Sequence, residues 1–221
     1  IVTRQRSLAL GGNSRREHFP TKETCIDYVN DIDGPETCNT YNMLKLTEDL
    51  NRVNHQGMYG DFYETAIFNH ILSAQHPEHG GYVYFTSARP RHYRNYSAPN
   101  KAMWCCVGTG MEDHGKYGQF IWTHDKGMKT EDDALYVNLF VASELNWKER
   151  KMVLRQQTAF PYAETSNIEV TKGKGVFTLK IRKPLWCDNF TVKGVGFVVD
   201  SYEENGFVCI KRKWKKGDQV E

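Results

Sequence analysis

Four residues of this 221-residue chain have the types and spacing to do chemistry: Glu36 and Cys38 in "PETCNTYN", and Cys105 and Cys106 in "MWCCVGTGMEDHGKYG". Glu36 and Cys38 flank one residue at a predicted helix start, and the adjacent cysteines sit at another. If the two starts meet, three thiols and a carboxylate converge. Zinc takes such ligands tetrahedrally, and soft thiolates favour it over magnesium or calcium. The spacing alone leaves three readings open. The cysteines could be buried free thiols, a common core use; a vicinal disulfide, which strains the peptide joining its cysteines; or a metal site. The pattern is not the Cys-x-x-Cys pair of a zinc ribbon, and on residue chemistry alone buried free thiols are favoured. Of the six cysteines, Cys25, Cys187 and Cys209 match no motif and are read as structural.

The elements that must position these residues are legible as periodicity. From Glu36, Met43, Leu46, Leu50 and Val53 recur at three- and four-residue steps and predict a helix with that inner face, started by Asp33, Gly34 and Pro35. A second helix is predicted from Asp61 to about Gln75, with Tyr63, Ile67 and Ile71 as its stripe. A long Gly-, Pro- and Arg-rich loop follows, holding a short strand at Tyr82 to Phe85; loops of this length are often functional. The third helix follows the cysteine pair, with Val107, Met111, His114, Gly118 and Ile121 on one side. Gly108, Gly110 and Gly115 weaken it, so a close contact is expected to compensate. His114, on that face, could orient a group of the site. Most of the other histidines (His18, His70, His76, His79 and His92) read as surface residues or as supports behind a site.

Beyond about Asp125 the period changes to that of strands. "ALYVNLFVA" alternates, "NIEVTKGKGVFTLKIRKP" reads as two strands around a turn, and "FTVKGVGFVVD" and "GFVCIKRKW" continue the theme. Helices first and strands second predict an α+β chain of two parts, residues 1–125 and 126–221, the second antiparallel. The aromatic residues of the β-part, among them Trp147, Trp186 and Trp214, could form a sugar platform, although core packing is the simpler use.

Composition sets the class. With 39% hydrophobic and 25% charged residues the chain is globular. A net charge of +2 offers no electrostatic reason for nucleic acid or an anionic membrane as partner, and no apolar run is long enough to insert across a bilayer. Ile1 stands where an initiator Met would, and "KKGDQVE" reads as the start of another strand. The chain is therefore expected to be a piece of a longer protein, and its localisation stays open.

"PETCNTYNMLKL" together with "WCCVGTGMEDHGKYG" closely resembles the β-L-arabinofuranosidases of glycoside hydrolase families 127 and 146, the second motif lying nearer the family 146 branch. The resemblance covers most of the chain. It implies the last helices of an (α/α)6 barrel carrying the active-site motifs, followed by a β-sandwich domain. It implies a zinc site made of Glu36, Cys38, Cys105 and Cys106, with Cys105 as nucleophile. By the same resemblance Glu17 in "REHF" is the acid/base, with Glu23 in "KETC" as the competing match, and Tyr84 in "GYVYF" contacts substrate. The implied activity is hydrolysis, with retention, of terminal β-L-arabinofuranosides of plant-type glycans. Two carboxyl groups usually share this work; here a thiolate, kept deprotonated by Zn2+, replaces one. Two rivals remain: a carbohydrate-binding protein whose zinc is structural, and a glycosidase that pairs Glu17 with another carboxylate. The isolated chain is expected to be inactive.

Overall fold

A computed structural model describes residues 2–21 and 27–221; Glu23 and Cys25 lie outside the described residues. The chain divides into two compact units, one of residues 1–54 and 61–117, the other of residues 55–60 and 118–221. Among the described residues no helix is long and apolar enough to cross a membrane.

The first unit is helical. After the short helix α1 (Val2–Gln5), the chain reaches α2 (Thr37–Val53). The buried face of α2 is Cys38, Tyr41, Leu44, Thr47, Glu48 and Asn51. The expected stripe is corrected: Leu46, Leu50 and Val53 are all exposed. The buried face is half polar, and several of its polar groups are bonded. The Tyr63 hydroxyl donates to Glu48 Oε1 at 2.8 Å, which removes the desolvation cost that a hydropathy pattern assumes.

The second helical run is continuous but changes pitch. It begins as α3 (Gly57–Ala66), widens to a π-turn over Ile67–Ile71 and tightens to a 3-10 turn over Leu72–Ala74. Tyr63, Ala66, Ile67 and Ile71 are buried, as their spacing predicts. His70 is fully buried between two hydroxyls, Thr40 Oγ1 at 2.9 Å and Thr86 Oγ1 at 3.1 Å. It ties α2 to the segment beyond Phe85. The strand expected at Tyr82 to Phe85 is corrected to isolated bridges with no full ladder: Gln75 to Tyr82, Val83 to Tyr96, Glu36 to Phe85.

Helix α4 (Cys105–His114) buries Cys106, Gly110 and Asp113. The expected inner stripe is therefore also corrected: Met111 is exposed, and the helix stops at Gly115 instead of running to Ile121. The close contact expected at a glycine is found at Gly110. A Cβ there would fall 2.4 Å from the Tyr82 ring, so the absent side chain is what lets α4 lie against that ring.

The second unit holds nine strands in two sheets. One sheet runs β1 (Trp122–Asp125), β2 (Ala134–Val137), β6 (Lys174–Arg182), β8 (Phe207–Lys215), β7 (Tyr202–Glu204). The other runs β3 (Ser143–Trp147), β4 (Met152–Thr158), β5 (Ser166–Lys172), β9 (Gln219–Val220). Leu135, Val137, Phe177 and Trp214 of the first share one core with Trp147, Leu154, Ile168 and Val170 of the second. Three expectations are corrected here. The second unit is not wholly antiparallel, because β2 pairs with β6 in parallel, Ala134 opposite Thr178. All four residues of β2 are buried, so its alternation did not mark a solvent face. "FTVKGVGFVVD" is irregular apart from a single bridge from Gly194 to Val220. The two strands of "NIEVTKGKGVFTLKIRKP" do form, but Gly173, at φ +88°, passes the chain from one sheet to the other.

Candidate active site

The site is built on two helix starts and a tight turn, all in the first unit. Glu36 is the residue before α2, and its extended backbone (φ −77°, ψ 135°) turns the chain into the helix. The helix start is held from outside itself. Glu36 N–H donates to Ser14 Oγ at 2.9 Å, Thr37 N–H to Tyr84 O at 3.1 Å, and Thr37 Oγ1 to Val83 O at 3.0 Å. The cysteine pair opens α4, where Trp104 is the preceding residue. The helix macrodipole makes both helix starts electropositive, the setting that favours thiolate over thiol.

Ligand atoms of Glu36, Cys38, Cys105 and Cys106 all lie within 4.8 Å of one another. Among the described residues no other group of three or more His, Cys, Asp or Glu does so. The sulfurs of Cys105 and Cys106 are 3.8 Å apart, and each is 3.7 Å from Glu36 Oε1. Thiolates about 2.3 Å from a tetrahedral zinc stand about 3.7 Å from one another, so these edges fit that ion. The edge from Cys38 to Cys106 is shorter, 3.1 Å, because Cys38 donates a hydrogen bond to its partner. That bond lowers the Cys106 thiol to about 7 and raises Cys38. Burial raises the Cys105 thiol. Cys106 is fully buried whereas Cys105 is exposed. The adjacent sulfurs thus differ in access, one facing protein and the other open to solvent.

Glu17 sits at the tip of a two-residue turn. Arg15 and His18 exchange backbone hydrogen bonds across it, and Arg16 takes a left-handed φ of 56°. Arg16 bridges to Pro35, which docks the turn beside Glu36. The Tyr84 hydroxyl donates to Glu17 Oε1 and lies 3.6 Å from Cys105 Sγ. The bond to Glu17, then that from Cys105, raises the Tyr84 phenol above its ordinary range. The structure therefore brings together Glu17, Glu36, Cys38, Tyr84, Cys105 and Cys106. It does not bring in His114. This residue ends α4, about 12 Å along the axis from Cys106, and packs against the Tyr82 and Tyr117 rings with Tyr117 Oη bonded to Nδ1. Sequence reasoning missed Thr109, whose Oγ1 stands 3.1 Å from Cys38 Sγ. Its place three and four residues after the cysteine pair, one helical turn on, was the available signal.

The helical unit thus gathers acid and thiol groups around one tyrosine hydroxyl, and the comparisons with known proteins give the family in which this arrangement falls. A family model described as "Beta-L-arabinofuranosidase, GH127 catalytic domain" matches residues 1–119, and one described as "Beta-L-arabinofuranosidase, GH127 middle domain" matches residues 134–221. The chain belongs to the GH127 β-L-arabinofuranosidase family. A search of the curated proteins found no match. Among solved structures, a GH127 beta-arabinofuranosidase superposes with a TM-score of 0.78 at 22% identity. A GH127 beta-L-arabinofuranosidase from Geobacillus stearothermophilus T6 gives 0.76 at 24%. Each of these two is matched over 99% of this chain and 36% of its own length. A chain described as a glycoside hydrolase gives 0.67 at 24% identity, over 85% of this chain and 32% of that one. The present chain thus spans about a third of the length of these structures and shares their fold over that part.

Proposed function

We propose that this chain carries the catalytic centre of a retaining β-L-arabinofuranosidase and works as part of a longer enzyme acting on arabinose-containing plant glycans. Residues 1–125 would supply the last helices of an (α/α)6 barrel and residues 126–221 a β-sandwich that follows them in the chain. The single observation that carries the reading is the Tyr84 hydroxyl, which touches both Glu17 and Cys105 beside the Glu36–Cys38–Cys106 cluster. Glu17 and Cys105 are thereby within two hydrogen-bond lengths of each other. Retaining enzymes hold their acid/base and nucleophile close in this way, about 5–5.5 Å apart.

Glu17 protonates the leaving glycosidic oxygen while the Cys105 sulfur attacks the anomeric carbon, forming a carbon–sulfur bond as the carbon–oxygen bond breaks. Glu17, now a carboxylate, takes a proton from water; the water oxygen attacks the same carbon and expels the sulfur. Glu36, Cys38, Cys105 and Cys106 would hold Zn2+, which supplies charge that keeps the thiols deprotonated. Cys106 and Cys38, buried, anchor the cluster, and Cys105, exposed, reaches the sugar. Thr109 bonds Cys38 and Tyr84 orients Glu17. The accessible Cys105 favours this reading over a purely structural metal, which needs no open thiol.

The test is made in the intact enzyme. Cys105→Ser is expected to abolish hydrolysis of p-nitrophenyl β-L-arabinofuranoside while the far-UV spectrum and bound zinc persist, because a serine hydroxyl is too weakly acidic to replace the thiolate. A haloacetamide-bearing L-arabinofuranose analogue should label Cys105. Near-normal turnover in Cys105→Ser, or a label on Cys106, would sink the assignment.

A further inference from the structure

The second unit contains a cleft of about 650 Å³ that the chemistry above does not use. Its walls are the turn after β4, residues 159–165, and the segment 184–193 after β6, and its floor comes from both sheets, through Ile168 and Ile181. Along it runs a row of aromatic rings. Phe160 and Trp186 stack nearly parallel, 13° apart with centroids 5.6 Å from each other. Phe140 packs edge-on against Phe160 and lies tilted against Phe190, their centroids 6.4 Å apart. Trp186 keeps 57% of its surface exposed. A large indole left open at the mouth of a cleft costs apolar hydration unless something covers it.

Three of the polar side chains around these rings are unspent, whereas the Thr158 hydroxyl is taken up by Phe160 N–H and Thr165 O. Among the described residues no side chain bonds those of Glu164, Asp188 or Asn189, all exposed on the walls. Ser166 Oγ, at the first residue of β5, is buried without a partner and also lines the cleft. Carboxylates and an amide offer acceptors and donors together, interleaved with flat apolar faces. A pyranose or furanose ring presents the same mixture: hydroxyls that donate and accept, and a face of C–H groups that packs on an aromatic plane.

We propose that this cleft is a second saccharide-binding site, distinct from the thiol cluster, which holds a neighbouring stretch of the glycan. Phe160 and Trp186 stack on sugar rings, and Asp188, Asn189 and Glu164 bond their hydroxyls. That the occupant is a glycan rests on the family's glycosidase reading; the geometry of the cleft does not depend on Cys105 or Glu17. A basic peptide is the other chemistry that unpaired carboxylates beside aromatic rings attract, but the Lys193 ammonium and the Asn189 amide on the same lining favour a neutral, polyhydroxylated ligand.

The test is affinity electrophoresis of the intact enzyme through gels containing arabinan or arabinogalactan, with a lysine-rich peptide titrated separately. At least one polysaccharide should retard it. Trp186→Ala and Asp188→Ala should each weaken that retardation at least tenfold, about 1.4 kcal/mol, with unchanged circular dichroism. Cys105→Ser should leave it intact, so loss of hydrolysis and loss of binding are read from different variants. Retardation unaffected by both cleft variants, retardation that disappears in Cys105→Ser, or tight binding of the peptide alone would each overturn the proposal.

Discussion

His70 offers a test of the first unit's packing that can be worked in numbers. Its imidazole is fully buried, and burial, helped by the charge of Arg94, lowers its pKa to about 3. The unfolded chain returns it to an ordinary value near 6.5. Between these limits the unfolded state binds the extra proton, so stability falls as pH drops through that window. From pH 7 to pH 4.5 the two proton-binding curves differ by about 2.5 kcal/mol. The perturbation is His70→Gln, which keeps polar contacts to Thr40 and Thr86 and cannot titrate. Asp113 acts in the opposite sense. Burial raises it to about 8, so its contribution is lost as pH rises towards that value. It is common to both proteins and cancels when one pH profile is subtracted from the other. The assay is urea unfolding followed at 222 nm, which reports the helices. The parent should lose about 2.5 kcal/mol more than the variant on acidification. Identical slopes would show that His70 is not held neutral, and that the link it makes between α2 and the segment at Thr86 is looser than described.

Further outcomes bear on the site. Gly110→Ala should cost about 1–3 kcal/mol by forcing α4 off the Tyr82 ring, read as a lower unfolding midpoint, together with weaker zinc binding because Cys105 and Cys106 ride on the same helix. The chain should bind close to one zinc per molecule by elemental analysis, with a rise in Tm on loading; Cys38→Ser and Cys106→Ser should each weaken the ion more than Cys105→Ser does. Glu17→Gln in the intact enzyme should lower kcat by about 10²–10⁴-fold on alkyl glycosides and by less in the first step on p-nitrophenyl glycosides, whose leaving group needs little protonation. Equal losses on both substrates would argue against Glu17 as the acid.

Local chemistry carried much of this protein in its sequence. Glu36-x-Cys38 and Cys105-Cys106 could be set at helix starts because the signals that begin a helix are local. Residue type alone left the thiols open between buried free cysteines and a metal site, and it was the resemblance of their two motifs that implied zinc; the change from helical to alternating period after Asp125 marked the strand-rich part, although β1 (Trp122–Asp125) begins just before it. Tertiary structure decided the rest. Nothing local says that the starts of α2 and α4 meet; the segment around Tyr84 brings the parts together by bonding to Thr37 on one side and reaching Cys105 on the other. Hydropathy placed the wrong face of α2 inside, because Glu48 and Asn51 are buried there, Glu48 with the Tyr63 hydroxyl as its partner, while Leu46 and Val53 face outward. The direction of β2 against β6 was invisible, since a buried strand reads alike whichever way its neighbour runs. The nearness of Glu17 to Cys105 and the row of rings from Phe190 to Trp186 likewise exist only once residues far apart in the chain are packed together, as side-chain identity sets what a group can do and packing sets what it can reach.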